Sequence, residues 1–252
     1  MDRITKSLLD EFARQYELTE LPEHKQFESF ATFLALSRNY AETIEPGDLT
    51  TGDGNDTGID GAAILLNGAL ANDPDTVTEL SEAAGFVDVD FVFVQAERSA
   101  AFDGAKIGTF GFGVVDFFSD APKLPRNQAI TDAAKTMERV FEYSAKFRRR
   151  PSCKMYYVTT GTWRDDAALT GRITAVQEDL RALNIFDDIQ FFPIDAAEIQ
   201  RLYALTKNAI ARVITFADRT PIPEMPGVSE AYLGIIPATT FLSLMEDEKV
   251  NW

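Results

Sequence analysis

The chain contains one cysteine, Cys153, and one histidine, His24, in 252 residues. A single cysteine excludes an internal disulfide and any cysteine-built zinc cage, and a single histidine removes paired-histidine zinc sites and histidine-metal nuclease motifs. Positive charge is also scarce: 24 Lys and Arg stand against 40 Asp and Glu, giving a formal net charge of −16 and an isoelectric point near 4.5. That balance opposes general adhesion to nucleic acid, because phosphate neutralisation needs Lys and Arg. An enzyme of nucleic acids with this charge needs a local basic patch, metal ions or a further domain. No apolar run approaches the roughly 18 to 20 residues that span a bilayer. The opening MDRITKSLLDEFARQ is amphipathic and lacks the short apolar block of a signal peptide. The expectation is a soluble, cytoplasmic protein with no membrane partner.

What remains for chemistry is carboxylates, amides, lysines and hydroxyls, and hard oxygen ligands suit magnesium, calcium or manganese. A hydrophobic content of 45% predicts a packed interior and not disorder. Cys153 in CKMYYVTTG reads as a small buried strand residue. His24 precedes an apolar helix and reads as a surface or capping residue.

Apolar residues at three- and four-residue spacing predict helices over 2–17 (Leu8, Leu9, Phe12) and 23–41 (Phe27, Phe30, Phe33, Leu34). The turn-rich EPGDLTTGDGNDTG ends the second helix. Ile59 to Leu66 reads as a strand, and the polar NGALANDPDTVTELSEAAG connects it to a second, Val87 to Gln95. There Val87, Val89, Phe91, Phe93 and Gln95 alternate strictly with Asp88, Asp90, Val92, Val94 and Ala96. GAKIGTFGFGVVDFFSD and NQAITDAAKTMERVFEYSAKFRRR are helical by spacing, separated by Pro122 and Pro125. Strand 153–160, helix 166–183, strand 188–194 and helix 195–217 follow. Strands alternating with long helices predict an α/β domain with a mixed or parallel central sheet flanked by helices. Its expected extent is 1–218, with 219–252 forming a proline-rich linker, strand-like AYLGIIP and helical ATTFLSLME. These last elements are too few to enclose a core of their own.

The glycine- and carboxylate-rich GDGNDTGIDG asks for an explanation. As an EF-hand, Asp53, Asn55, Thr57, Gly58 and Ile59 match ligand-loop positions, but the required bidentate glutamate falls on Ile64 and a strand follows in place of a helix. A solvated turn is the plain alternative. A second strand decides between them. Gln95 and Glu97 are two residues apart and share a face. If that strand neighbours the one begun by Asp60, then Asp60, the Gln95 amide oxygen, Glu97 and the Ala96 carbonyl converge as a magnesium-type oxygen set. Burying Gln95 and Glu97 without partners would cost roughly 1 to 3 kcal/mol each.

The order Phe27-Glu28 on a helix, GDGNDTGIDG, then FVFVQAERS resembles the PD-(D/E)XK nuclease superfamily, in particular its Mrr-like branch. QAERSAAFDGAKIGTFGFGVVDFF looks like the nuclease-like region of abortive-infection phage-resistance (AIPR) proteins, and EAYLGIIPATTFLSLMEDE resembles the start of that family's C-terminal region. The resemblance implies a restriction-endonuclease-like core acting in antiphage defence. It further implies hydrolysis of DNA, double-stranded in the first instance, with Mg2+ or Mn2+ held by Asp60, Gln95, Ala96 and Glu97, and Glu28 as the helical acid. A homodimer and a phage-derived trigger are implied partners. Glu97 departs from the pattern, because the family usually has lysine there. Three readings stay open: a catalytic Glu97, a degenerate nuclease, or an inactivating change.

Lys106 lies within a helical turn of the FDGA loop and is a cation that can reach back, although a solvated lysine is the plainer reading. KFRRRP at 146–151 either offsets its own helix's dipole or contacts phosphates with Lys123 and Arg126. GTFGFG lacks the strand-turn-helix setting of a phosphate loop, so its glycines read as close-packing positions against the sheet. VTTGTW receives no role.

Overall fold

Strict alternation in VDFVFVQAE makes a strand with two apolar faces, and such a strand must lie inside a sheet covered on both sides. The computed structural model describes residues 1–40, 46, 51, 57–207, 216, 218–222 and 232–240. Its first compact unit, Met1–Thr206, is an α/β domain in which a five-stranded mixed sheet is flanked by helices. The elements run α1 (Arg3–Gln15), α2 (Glu23–Leu36), β1 (Gly61–Leu66), β2 (Ala69–Leu70), α3 (Pro74–Ala83) and β3 (Val89–Glu97). They continue with α4 (Gly104–Phe117), α5 (Gln128–Glu142), β4 (Ser152–Thr159), α6 (Ala167–Ala182), β5 (Asp188–Ile194) and α7 (Ala196–Lys207).

The strand order is β2-β1-β3-β4-β5. β1 runs antiparallel to β3, with Gly61 opposite Val94 and Leu66 opposite Val89. β3, β4 and β5 are parallel, joined by crossovers through α4–α5 and α6. On one face Phe91, Phe93, Cys153, Met155 and Tyr157 pack with Ile107, Phe110, Phe117 and Val176 from α4 and α6. On the other, Val92, Val94, Tyr156 and Val158 pack with Phe12, Phe27, Phe30 and Tyr203 from α1, α2 and α7. Full burial of each such side chain stabilises by about 1.5–3 kcal/mol. Cys153 is wholly buried, and burial pushes its thiol well above the ordinary range, so it is an inert core residue.

Three local differences from the sequence reading have physical causes. The polar stretch after β1 holds a two-residue strand and helix α3, which begins with the Asp73 side chain accepting the Thr76 N–H (2.8 Å) and Pro74 in the first turn. The second strand starts at Val89 and extends to Glu97, because parallel pairing with β4 continues to Glu97 opposite Thr159. Helix α7 is described to Lys207, and the expected continuation over 208–215 and at 217 lies outside the described residues.

The second unit, Lys207–Trp252, contains a two-stranded antiparallel ribbon of β6 (Asp218–Pro221) and β7 (Tyr232–Ile235). Part of the expected linker is thus a strand. Gly234 is required there, since a Cβ would fall 2.0 Å from the Phe216 ring. Among the described residues no helix is long and apolar enough to cross a membrane.

Asp2 caps α1 by accepting the N–H groups of Ile4 (2.8 Å) and Thr5 (3.0 Å), and the Thr5 hydroxyl and amide hold its carboxyl below the ordinary 3.8. Asp2→Ala should destabilise the domain by about 0.5–2 kcal/mol in urea titrations at neutral pH. The sign with pH follows from the lowered value. The cap contributes fully above 3.8 and fades as pH falls below it toward the folded-state value, so wild type and Asp2→Ala should converge in acid.

Candidate functional site

β1 and β3 meet at one edge of the sheet, where the strand entering as Thr57-Gly58-Ile59-Asp60 crosses the end of β3. The Asp60 N–H donates to the Val94 carbonyl at 2.8 Å, so the aspartate is already paired with β3 before β1 begins. Its side chain is buried at 8% exposure. The Asp60 Oδ2 accepts from the Gln95 amide nitrogen at 2.6 Å and from the Ala96 backbone N–H at 2.7 Å. The two donors come from consecutive residues of one strand, so the carboxylate is held in a fork. Two such bonds to an ionised group are worth roughly 1.5–3 kcal/mol each.

The turn ahead of Asp60 is shaped by backbone conformations that side chains disfavour. Thr57 has φ +60° and Gly58 φ +77°. A β-branched residue in the left-handed region is uncommon, and such strain concentrates where structure over-determines a loop. Here α4 supplies the constraint: a Cβ on Gly113 would stand 1.9 Å from the Thr57 carbonyl oxygen, and one on Gly111 would stand 2.3 Å from Val176 of α6. The GTFGFG glycines therefore serve close packing, as expected, but against this turn and α6 and not against the sheet. Thr51 closes the other side. Its N–H donates to the Asp60 carbonyl (3.1 Å), its hydroxyl donates to the Ile59 carbonyl, and its own carbonyl accepts from Asn127 (2.6 Å).

Glu97 follows Gln95 on the same face and is paired with Lys106, whose Nζ lies 2.6 Å from its Oε2. Lys106 is half exposed and Glu97 is 19% exposed. The ion pair follows from the helix start: the Asp103 side chain accepts the N–H of Ala105 (2.7 Å) and Lys106 (3.3 Å), which sets the first turn of α4 over the end of β3. A lysine in a first turn opposes the helix dipole, and Glu97 offsets that. Lys106 thus reaches back, where the plainer reading had it solvated. The segment after β3 is tied to the loop after β4. Thr159 and Thr160 donate to the Ser99 carbonyl at 2.6 and 3.0 Å, and Gly161 packs against the Ala100 backbone. VTTGTW therefore anchors the loop beside Glu97, a role its sequence did not announce.

Glu28 lies on α2. It is one turn before Thr32 on α2, whose side chain abuts Gly61, and α2 covers the opposite face of the sheet. Its carboxylate pairs with Lys25 at 2.7 Å. Among the described residues no three His, Cys, Asp or Glu side chains are grouped to hold a metal. The oxygens available at the edge are two carboxylates, Asp60 and Glu97, with the Gln95 amide oxygen and the Ala96 carbonyl. Without sulfur or imidazole, that donor chemistry fits a hard divalent cation such as Mg2+ or Mn2+. Asp53 and Asn55 of the acidic loop lie outside the described residues.

The basic cluster lies elsewhere. Arg148 and Arg149 both pair with Asp88, and Arg150 donates to Asn184 at 2.9 Å. Asp88 precedes β3, nine residues from Glu97, which at about 3.3 Å per residue is roughly 30 Å away. The cluster and the carboxylate edge cannot share a phosphate. Lys146 donates to the carbonyls of Ser81 (2.7 Å) and Ala84 (3.3 Å), so the charge that offsets a helix dipole does so for α3 and not for its own helix. Arg126 caps α4 through the carbonyls of Asp116 (2.9 Å) and Phe117 (3.0 Å), and the Lys123 N–H donates to Asp116. A cavity of about 170 Å³ reaches Thr51 and Ala62, and one of about 620 Å³ lies between Phe118 and Phe141; neither is lined by Asp60, Gln95 or Glu97.

Gly113→Ala should push the Thr57 carbonyl aside, destabilise the domain by about 1–3 kcal/mol and displace the Asp60 turn. Amide chemical shifts at Gly58 and Ala96 check the displacement, and denaturant titration checks the stability loss. No family model, curated protein or solved structure matches the chain, so the geometry of this edge and the physical chemistry of its residues carry the functional argument.

Proposed function

We propose that the chain is the nuclease-like domain of an antiphage defence protein, with a restriction-endonuclease-like core that hydrolyses DNA phosphodiester bonds using Mg2+ or Mn2+. The observation that carries this reading is the Asp60 carboxylate forked between Gln95 and Ala96, with Glu97 and Lys106 on the same face one step along β3. Asp60 and Glu97, with the Gln95 amide oxygen and the Ala96 carbonyl, would hold the cation. Bound there, the ion would polarise the scissile phosphate and acidify a water. Glu97 accepts a proton from the attacking water, the water oxygen bonds to phosphorus, the bond to the leaving oxygen breaks, and that oxygen is protonated from solvent. Lys106 offers, from α4, the cation that the family pattern would place at position 97, and it offsets the charge developing on the phosphate. Glu28, on α2 and paired with Lys25, is the helical acid that the resemblance implies and would support the cation through water.

A second reading is favoured by a specific feature. Asp60 and Glu97 already have strong partners within the chain, in Gln95, Ala96 and Lys106. Such a satisfied edge also suits an inactive module of the same ancestry that senses nucleic acid or a phage protein. A net charge of −16 supports the need for a partner, a second copy or a further region to supply substrate affinity.

Incubating linear duplex DNA with the protein across Mg2+ and Mn2+ separates the readings. Wild type should cleave only with metal, and Asp60→Ala and Lys106→Ala should each lose on the order of 100-fold or more in rate. Equal behaviour of wild type and Asp60→Ala defeats the hydrolase reading. Activity that appears only when Glu97→Lys is combined with Lys106→Glu, preserving the ion pair, identifies the natural chain as inactive.

A further inference from the structure

Tyr157 is fully buried on β4, in register with Gln95 of β3, and its hydroxyl has no hydrogen-bond partner among the described residues. A buried hydroxyl left unpaired is destabilising, and a second state that uses it is one reason for a fold to carry that cost. Its surroundings point to that use. The phenol ring lies against Phe102, at 5.8 Å between centroids, in the loop that leads from Glu97 to Lys106. Glu97 is opposite Thr159, two residues beyond Tyr157 on the same face, so the spacings of the sheet put the two backbones roughly 8 Å apart. Side chains as long as tyrosine and glutamate close such a gap. Burial first, then the negative charges of Glu97, Asp103 and Asp60, push the phenol's pKa up, so it stays protonated and acts as a donor. The Asp103 backbone N–H acts in the opposite direction and is not in bonding geometry.

We propose that Tyr157 and Lys106 are alternative partners of Glu97: at rest Lys106 holds the carboxylate, and when an anion draws Lys106 away the Tyr157 hydroxyl takes its place. Lys106 is the more exposed partner, 50% against 19% for Glu97. Released, Lys106 can meet a phosphate oxygen while Glu97 stays oriented and hydrogen-bonded. Tyr157 is then a positioning residue, acting on the reaction through Glu97. The functional half of this inference rests on the hydrolase reading, whereas the exchange of partners does not.

A thermal cycle tests the exchange without any activity. Tyr157→Phe removes only the hydroxyl. In wild type, where that hydroxyl is unpaired, it should leave the melting temperature unchanged or raise it. In a Lys106→Met background, where Glu97 has turned to Tyr157, it should lower the melting temperature by roughly 2–4 °C. The same shift in both backgrounds, of either sign, overturns the proposal. In the cleavage assay Tyr157→Phe should lower kcat about tenfold with KM little changed, and unchanged kcat rejects the positioning role. An inactive wild type with a non-additive thermal cycle rejects hydrolysis alone and leaves the exchange standing.

Discussion

One carboxylate organises the edge on which everything else is placed. Asp60 arrives through a turn whose Thr57 and Gly58 both lie in the left-handed region, and it is received by the end of β3 through a side-chain amide and a backbone N–H. The bond holds the start of β1 to the end of β3 and fixes their register, and a slip of one residue would carry Gln95 to the wrong face. α4 then secures the turn from outside, because Gly113 lets its backbone touch the Thr57 carbonyl. The turn into Asp60 is therefore held by the packing of α4.

Charge adds a second layer to this geometry. In a molecule with 40 acidic and 24 basic residues, the described cations are mostly committed to local tasks: Arg148 and Arg149 to Asp88, Arg126 to the end of α4, Lys146 to the end of α3. Lys106 is different, because it occupies a helix start that disfavours it and pairs with a carboxylate at the end of β3 while remaining half exposed. This contrast is the physical reason for proposing Lys106, and not the arginine run, as the cation that would act at this edge.

Much of this was legible in the sequence, and the remainder has identifiable causes. The alternation from Val89 to Gln95 set the two faces of β3 correctly, because period-two burial survives any choice of neighbour. The two-residue step from Gln95 to Glu97 placed both on one face for the same reason. Helix α3 escaped notice because Val77 and Ser81 alone are buried in it, although Asp73-Pro74 was an available start signal. The partner of Lys106 and the register of Tyr157 opposite Gln95 depend on a parallel crossover, which local spacing does not encode. Glu28 was assigned by motif order; it lies on α2, whose Phe27, Phe30 and Leu34 pack with Val92 and Val94.

The account stands on Asp60 and Glu97 sharing one hard cation. Crystals soaked in Mn2+ and measured at its absorption edge test that most directly. The account predicts an anomalous peak within ligand distance of both carboxylates and of the Gln95 amide oxygen, absent from Asp60→Ala crystals. No peak at the edge in wild type, or one unaffected by losing Asp60, would contradict it.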